Sequence, residues 1–564
     1  NLYNNTTRSD RFTLGSTVTY RPVTWFTNRL TAGLDFTSSL AQLVSGPGQD
    51  DALGYTAQRA PRAYVYTIDY SGTVTRALPW WQLESSSSFG TQVIAKRNER
   101  LDASGTGLAS PDVVLIGSAT TTSGFNTYSE NNSVGYYGQQ QFAWRDRLYL
   151  TGGLRADDNS AFGEEFNLSL YPKLSVSYVL SEEPALQRYT APLMIDELRF
   201  RTAWGRAGRA PDPFSATQTY TVQRVTLGTG TVLGLQTSAT GNPNLKPERG
   251  EEIEIGFDAG MFNGRLAMDV TYYSKVTTDM LVGVAPPPSS GFTASYLDNL
   301  GKVTNSGFEI TVSGMPVDRN DVRWDSRVSL ATNRNRLVSF GIPGLRSQTP
   351  AGQAYTPGNQ QHREGYSLGA YWLPVPLLDA NGQMQLNAAR NAILLDTAVF
   401  MGTPVPTREI GFSNTIHLFR NFRLYALFDY KGGHHMMNFK EFNRCSAQDN
   451  CARLNDPALR LGTTLADTVE RAYWRTVRAA YLEKADFVKL RDLSLTYDVP
   501  LDLVRRLRVS TASLTLAGHN LAMWTDYSGL DPEVNSYGGR LFVRADVYAA
   551  PMMRRLSLTA NIGY

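Results

Sequence analysis

The chain reads as all-β, a transmembrane up-and-down antiparallel β-barrel, on three observations. Strand-length segments alternate apolar with polar residues, the connections between them alternate short with long, and the last segment stops on an aromatic residue. Residues 251–275, EEIEIGFDAGMFNGRLAMDVTYYSK, show the repeating unit. Ile253, Ile255, Phe257, Ala259 and Met261 fall on one face of the first arm, and Glu252, Glu254, Gly256, Asp258 and Gly260 on the other. Asn263-Gly264 then supplies the residue pair that a type I′ hairpin turn selects, because both central positions take positive φ. In the second arm Leu266, Met268, Val270 and Tyr272 alternate with Arg265, Asp269, Thr271 and Tyr273. A half-buried soluble sheet has this pattern, and so does a strand pair with lipid outside and water inside.

Composition narrows the choice. No stretch of the 564 residues approaches the roughly 18 consecutive apolar residues of a membrane-spanning helix, at 42% hydrophobic content and a mean hydropathy of -0.29. Tyr (29), Phe (24) and Gly (48) are abundant, which suits strands and tight turns. The net charge of +3 comes without a Lys/Arg run or aromatic-basic interleaving, so nucleic acid is not an expected partner. Five His and two Cys leave little material for metal or thiol chemistry. The sequence opens with neither an initiator Met nor a secretory leader, and the numbering is expected to start inside a mature or truncated chain.

In chain order, Phe12, Leu14, Val18 and Tyr20 alternate with threonines and Gly15, and Arg21-Pro22 turns the chain into an arm over 25–36. The polar stretch 37–60 reads as a long loop. Arms follow at 62–76, 81–101, 133–144, 148–155, 168–180 and 198–205, with a Gly/Ser/Thr-rich loop running to about 131. After an excursion to 249 come the opening hairpin, a Pro/Ser-rich connection near 285–290, and arms at 294–313 and 322–337. A long Gly-, Pro-, Gln- and Asn-rich loop reaches 406, arms at 408–418 and 423–430 follow, and a second long loop runs to 482. The final arms are 487–497, 509–524 and 552–564, giving about 17 strands.

Short and long connections alternate along nearly the whole chain, as in a meander with tight turns on one rim and large loops on the other. Sandwiches and propellers do not produce that pattern. Many arms also exceed the usual five or six residues and match the ~9 to 11 needed to cross a bilayer on a tilt. In the terminal arm Leu556, Leu558, Ala560, Ile562 and Tyr564 share a face, and an amphipathic strand ending in an aromatic resembles the one bacterial outer-membrane proteins present to their assembly machinery.

Several blocks resemble the barrel of SusC/RagA-type TonB-dependent transporters: GLRADDNSAFG, YPKLSVSYVLSEE, LRFRTAWGRAGRAP, NPNLKPERGEEIEIGFDAGMFNGRLAMDVTYYSKVTTDML, YLDNLGKVTNSGFEITVSG, FVKLRDLSLTYDVP and LTLAGHNLAMWTDYSGLDPEVN. They occur in the family's order over residues 148–564 and consist mostly of strand and turn chemistry. The resemblance implies a barrel of about 22 strands filled by an N-terminal plug that contacts TonB. This chain contains no segment for the plug and about five strands too few, so 1–564 is expected to be the barrel portion, with the plug and first strands elsewhere. The family orientation puts short turns in the periplasm and long loops outside, with a SusD-like lipoprotein over the outer face. Glu252, Glu254, Asp258 and Asp269 then face a polar lumen while the apolar face meets outer-membrane lipid.

Candidate sites are few. Cys445 and Cys451, in NRCSAQDNC, lie in a long outer loop where the oxidising surroundings favour a disulfide over two free thiols; a metal pair lacks nearby ligands, and His434 and His435 do not supply them. Asp379-Ala380-Asn381-Gly382 lacks the acidic series of a calcium loop and reads as a turn. No nucleophile elbow, Walker loop or zinc-protease motif is present, and neither an enzyme nor a cofactor is expected. Tyr366, Tyr371 and Trp372 are candidates for ligand or lid contact, against the stronger reading that they pack their loop on itself or form an interfacial girdle. The expected function is SusC-like import of a glycan or peptide; a passive porin-like channel and a structural or adhesive scaffold are the alternatives.

Overall fold

The computed structural model describes residues 3–47, 53–110, 112, 115–164, 168–228, 230–284, 286–292, 294–350, 360–506, 509–537 and 543–563. The chain divides into two compact units, one of Asn1–Tyr178, Ala203–Glu251 and Thr277–Leu300, the other of Val179–Thr202, Glu252–Val276 and Gly301–Tyr564. Long antiparallel arms dominate both. Val322–Thr332 and Arg334–Ser339 pair with the same strand, Tyr296–Arg319, and so form one arm interrupted at Asn333. With that pair taken together the described residues contain seventeen long arms, as the alternation predicts.

In the first unit Tyr3–Val23, Phe26–Ser45, Tyr55–Leu78, Leu83–Thr106, Thr121–Trp144, Leu148–Asn159 and Ser169–Val179 pair successively and antiparallel. The tight turns at 24–25, 79–82 and 145–147 share one end of the ladder, and the larger connections the other. Gln82, Arg145 and Asp146 take positive φ in these turns. The expected loop over 37–60 is a correction: Ser38 pairs with Arg62 and Ser45 with Tyr55, so most of that stretch is strand, with the connection confined to 46–54. Likewise Thr121 already pairs with Thr106, inside the segment read as a loop reaching 131. Where a strand runs past the hydrocarbon both faces can meet water, so apolar alternation fades while backbone pairing continues. A separate hairpin, Thr219–Leu227 with Gly230–Ala239, occupies the excursion before the opening ribbon.

In the second unit the opening ribbon turns as predicted. Asn263 and Gly264 have φ of 56° and 74°, and the Arg265 amide donates to the Phe262 carbonyl at 3.3 Å. Further along, Val322–Thr332, Arg408–Leu418, Phe422–Gly432, Phe487–Asp498, Thr511–Thr525 and Arg555–Gly563 pair in sequence order. Connections 340–407, 433–486 and 526–554 emerge at one end of these arms, and the short turns lie at the other. The terminal strand begins at Arg555, three residues later than expected, and Tyr564 lies outside the described residues.

The distribution of apolar surface is inverted relative to a water-soluble sheet. Ile253, Ile255 and Phe257 are exposed, as are Phe12, Leu14, Leu174, Phe412, Leu495, Leu516, Leu556, Leu558 and Ile562, while Glu252, Glu254 and Asp258 are half-buried. Soluble proteins do not leave row after row of Leu, Ile and Phe in water, so these rows face hydrocarbon. No described helix is long and apolar enough to cross a membrane, which leaves the strands to do so.

Replacing Phe257 by Arg is expected to destabilise the barrel by about 2 to 4 kcal/mol at mid-bilayer depth. Glu254→Arg, three residues away on the opposite face, is expected to be tolerated. Urea unfolding of both variants in lipid vesicles checks this, and equal losses would contradict the lipid-facing assignment.

Candidate functional site

The polar face of the opening ribbon carries a connected set of charges. Arg201 donates to Asp258 Oδ1 at 3.2 Å, to Asp269 Oδ2 at 2.8 Å and to Thr271 Oγ1 at 2.7 Å. Lys275 lies 3.5 Å from Glu252. Three of the four residues read as facing a polar interior are thus held in ion pairs, and all four lie on the face opposite Ile253, Ile255 and Phe257.

Above that wall the loops 340–407, 433–486 and 526–554 fold together as a crown with its own apolar core. Tyr371, Met437, Phe439, Phe442, Cys445, Cys451, Leu454, Leu459, Tyr481 and Ala545 cluster out of solvent. The helices there are short and well capped: Asn438 accepts from the Glu441 amide before Phe439–Ser446, and Thr464 and Asp467 form a capping box on Leu465–Thr476. Tyr481 donates to the Trp474 carbonyl at 2.6 Å. Asn438 Nδ2 donates to Glu483 at 3.1 Å and to Ser528 at 3.0 Å, the Arg544 amide donates to Gln360 Oε1 at 2.9 Å, and Tyr527 donates to Asp546 at 3.0 Å. The Asn438–Ser528 and Arg544–Gln360 bonds each tie one loop to another.

The predicted residues fall differently within the crown. Cys445 and Cys451 are disulfide-bonded and fully buried, so neither sulfur offers a thiolate to a metal. Asp379 Oδ1 accepts from the amides of Asn381 and Gln383, forming the expected turn. Tyr371 and Trp372 require a correction as ligand contacts. Tyr371 is 0% exposed in the apolar core with its hydroxyl donated to the Arg544 carbonyl, and Trp372 is buried with the Arg363 guanidinium 3.8 Å from its ring centre. Their apolar bulk is what closes the loop on itself. Tyr366 remains 40% exposed, set edge-on to Trp372 at 4.8 Å and beside Phe400 at 4.9 Å, and is the one member of the trio that can touch a ligand.

A cluster that the pattern did not reveal fastens the last loop to the strands. Lys489, with a side chain 4% exposed, donates to both oxygens of Asp531 at 2.7 and 2.9 Å and to Glu533 at 2.8 Å. Arg491 bridges Asp429 and Glu533, each at 2.6 Å. Leu490 and Asp492 pair with the adjacent residues Phe428 and Leu427 of Phe422–Gly432, so Arg491 between them occupies a β-bulge, from which it reaches Glu533 beside Lys489. Burial would raise the Glu533 pKa, but hydrogen bonds from Arg491 and Lys489 outweigh it and pull the group down to about 2. His434 is fully buried, and burial, with help from the Arg544 charge, lowers its pKa to about 4. The motif GLDPEVN signalled a turn but not its ion pairs, which depend on a strand distant in sequence.

Matching against family models decides the family. The model described as TonB dependent receptor-like, beta-barrel covers residues 1–521. The chain belongs to that family, whose members are outer-membrane receptors and transporters. Among curated relatives, TonB-dependent receptor P26 of Formosa agariphila is 26% identical over 466 residues, 78% of this chain and 46% of its own length. TonB-dependent receptor SusC of Bacteroides thetaiotaomicron is 26% identical over 266 residues, 45% of this chain and 26% of its own length. The chain thus spans less than half the length of these relatives. Among solved structures, the RagAB peptide importer in its closed-closed state superposes with a TM-score of 0.81 at 19% identity, over 100% of this chain and 62% of that chain. At that identity the likeness establishes the fold.

Two results follow for the crown. Lys489→Met leaves Asp531 as a buried carboxylate without its cationic partner, while Glu533 keeps Arg491, and is expected to cost about 3 to 5 kcal/mol, read as faster hydrogen exchange over 526–537. His434 stays neutral in the fold down to about pH 4, whereas in the unfolded chain it takes up a proton near 6.5. Its contribution is therefore complete above pH 6.5 and declines as pH falls toward 4, by about 2 kcal/mol at pH 5. Thermal unfolding followed by near-UV dichroism checks this, and His434→Leu is expected to flatten that part of the profile.

Proposed function

We propose that this chain is the channel-forming barrel portion of a SusC-like, energy-coupled outer-membrane importer of a glycan or peptide. The observation that carries the reading is a transmembrane ladder with lipid-facing apolar rows, a wall of paired charges on the opposite face and a folded crown of loops at one end, in a chain of the TonB-dependent receptor family. The plug and the first strands belong to residues outside this chain, and TonB acts through that plug, pulling it to open a polar path. A SusD-like lipoprotein covers the crown and shares capture of the ligand, for which Tyr366 offers an exposed aromatic face. The strand Arg555–Gly563, with Leu556, Leu558 and Ile562 exposed on one side, serves as the element recognised during barrel assembly.

Uptake of fluorescently labelled oligosaccharides and oligopeptides by cells carrying the full-length protein tests this. Import of one of the two classes, abolished by deletion of the TonB homologue, is expected. Undiminished uptake in the deletion strain would replace active import by a passive channel, and no uptake in either strain would favour a scaffold.

A further inference from the structure

We propose that the tight-turn rim of the first unit is a binding site for anionic phospholipid in the membrane leaflet beside it. Four of the chain's nine Trp fall at three successive turns of this rim: Trp25, Trp80, Trp81 and Trp144. Trp80 is 90% exposed and Trp81 69%, side by side on the one-turn helix Pro79–Trp81. An indole left that open in water is unfavourable, and tryptophan gathers in the headgroup layer, where its ring meets apolar matter and its N–H meets water. An aromatic girdle on outward strand positions accounts for Trp144, which lies opposite Leu83. It does not account for two consecutive tryptophans beyond the last strand pair, Leu78 with Leu83, or for the cations beside them.

Two guanidiniums stand among these rings. Arg76 lies 3.8 Å from the Trp25 ring centre and Arg145 lies 4.7 Å from that of Trp144. Counting in steps of two from Tyr66, which pairs with the lipid-facing Leu34, puts Arg76 and Leu78 on the lipid side and Glu84 on the other. Among the described residues neither guanidinium pairs with a carboxylate, and stacking on an indole leaves its N–H edge open to oxygen. The rim is also tied together before any lipid arrives. The Thr75 amide donates to the Trp25 carbonyl at 2.9 Å, the Gln82 amide to the Pro79 carbonyl at 3.0 Å and the Arg145 amide to the Gln82 carbonyl at 2.8 Å.

Continuity and charge select the occupant. The strip prolongs the lipid-facing rows, and two residues separate Arg76 from Leu78, about 7 Å along the strand, which is about the depth of one headgroup layer. Arg76 and Trp144 sit on strands with one strand between them, about 10 Å apart, which lets each guanidinium hold its own phosphate. Within the three turns Asp146 is the one carboxylate, beside Arg145 and Arg147. In a zwitterionic lipid the phosphate already has an ammonium partner. A net anionic headgroup has none, so these guanidiniums favour it.

The test is native mass spectrometry of the purified full-length protein, titrated in detergent with phosphatidylglycerol and with phosphatidylcholine of the same acyl chains. Phosphatidylglycerol is expected to bind about tenfold more tightly, and Arg76→Gln combined with Arg145→Gln to abolish that preference. Arg62→Gln, toward the other end of the strand that carries Arg76, is expected to keep it. All three residues are exposed, so the variants fold, and unchanged far-UV dichroism verifies it. In vesicles containing phosphatidylglycerol, nitroxide labels at 80 and at 81 are expected to be shielded from a polar nickel chelate relative to a label at 381 in the crown. Equal binding of the two lipids, a preference kept in the double variant or lost equally in Arg62→Gln, or labels at 80 and 81 as open to the chelate as the one at 381 would each overturn the proposal, the last in favour of another protein covering the rim. Neither measurement uses a transport substrate, so failure of this site and failure of the importer reading give different results.

Discussion

A backbone that crosses hydrocarbon has no water to bond with, so each of its amides and carbonyls must find a partner in the chain itself. In this protein that constraint is met by antiparallel pairing of neighbouring arms, in rows such as Leu14 with Leu34 and Leu34 with Tyr66, or Leu495 with Leu516 and Leu516 with Leu558. The rest follows from those ladders. Alternation along a strand sends every second side chain to lipid, and the remainder are collected on a face where Arg201, Asp258 and Asp269 can pair. The tight turns at one end need positive φ, which Asn263 and Gly264 supply, and long insertions are free to accumulate at the other.

Those insertions have become a folded layer. Loops that bury Tyr371, Met437, Phe442 and Tyr481 together, staple the chain at Cys445–Cys451 and cap their helices behave as a small domain with a core of its own. Its attachment to the strands is electrostatic. Lys489 and Arg491 rise from a bulged strand to meet Asp531 and Glu533, and removing water from such a group is tolerable only because every charge in it has a partner. A crown fixed in this way keeps Tyr366 as an exposed aromatic on its surface.

How much of this was legible in the sequence depended on whether the governing interaction was local. Period-two alternation and the Asn263-Gly264 pair depend on neighbours, and the hairpin, the count of arms and the long-loop rim were read correctly from them. The stretch 37–60 was misread because strands standing in water on both faces lose the alternation that marks them. Tyr371 and Trp372 looked like exposed loop aromatics, but what buries them is a set of segments as distant as Arg544. The partners of Lys489 were invisible for the same reason, and the bulge at Arg491 leaves no mark in the residue pattern.

The central claim is that the apolar rows face lipid and the charged rows do not. Nitroxide labels placed one at a time at 252 through 258 in bilayer-reconstituted full-length protein measure this directly, by accessibility to oxygen, which concentrates in lipid, against a polar nickel chelate. Oxygen accessibility peaking at 253, 255 and 257 with minima between them is the predicted result. A profile without that two-residue period, or one in phase with 252, 254 and 258, would contradict it.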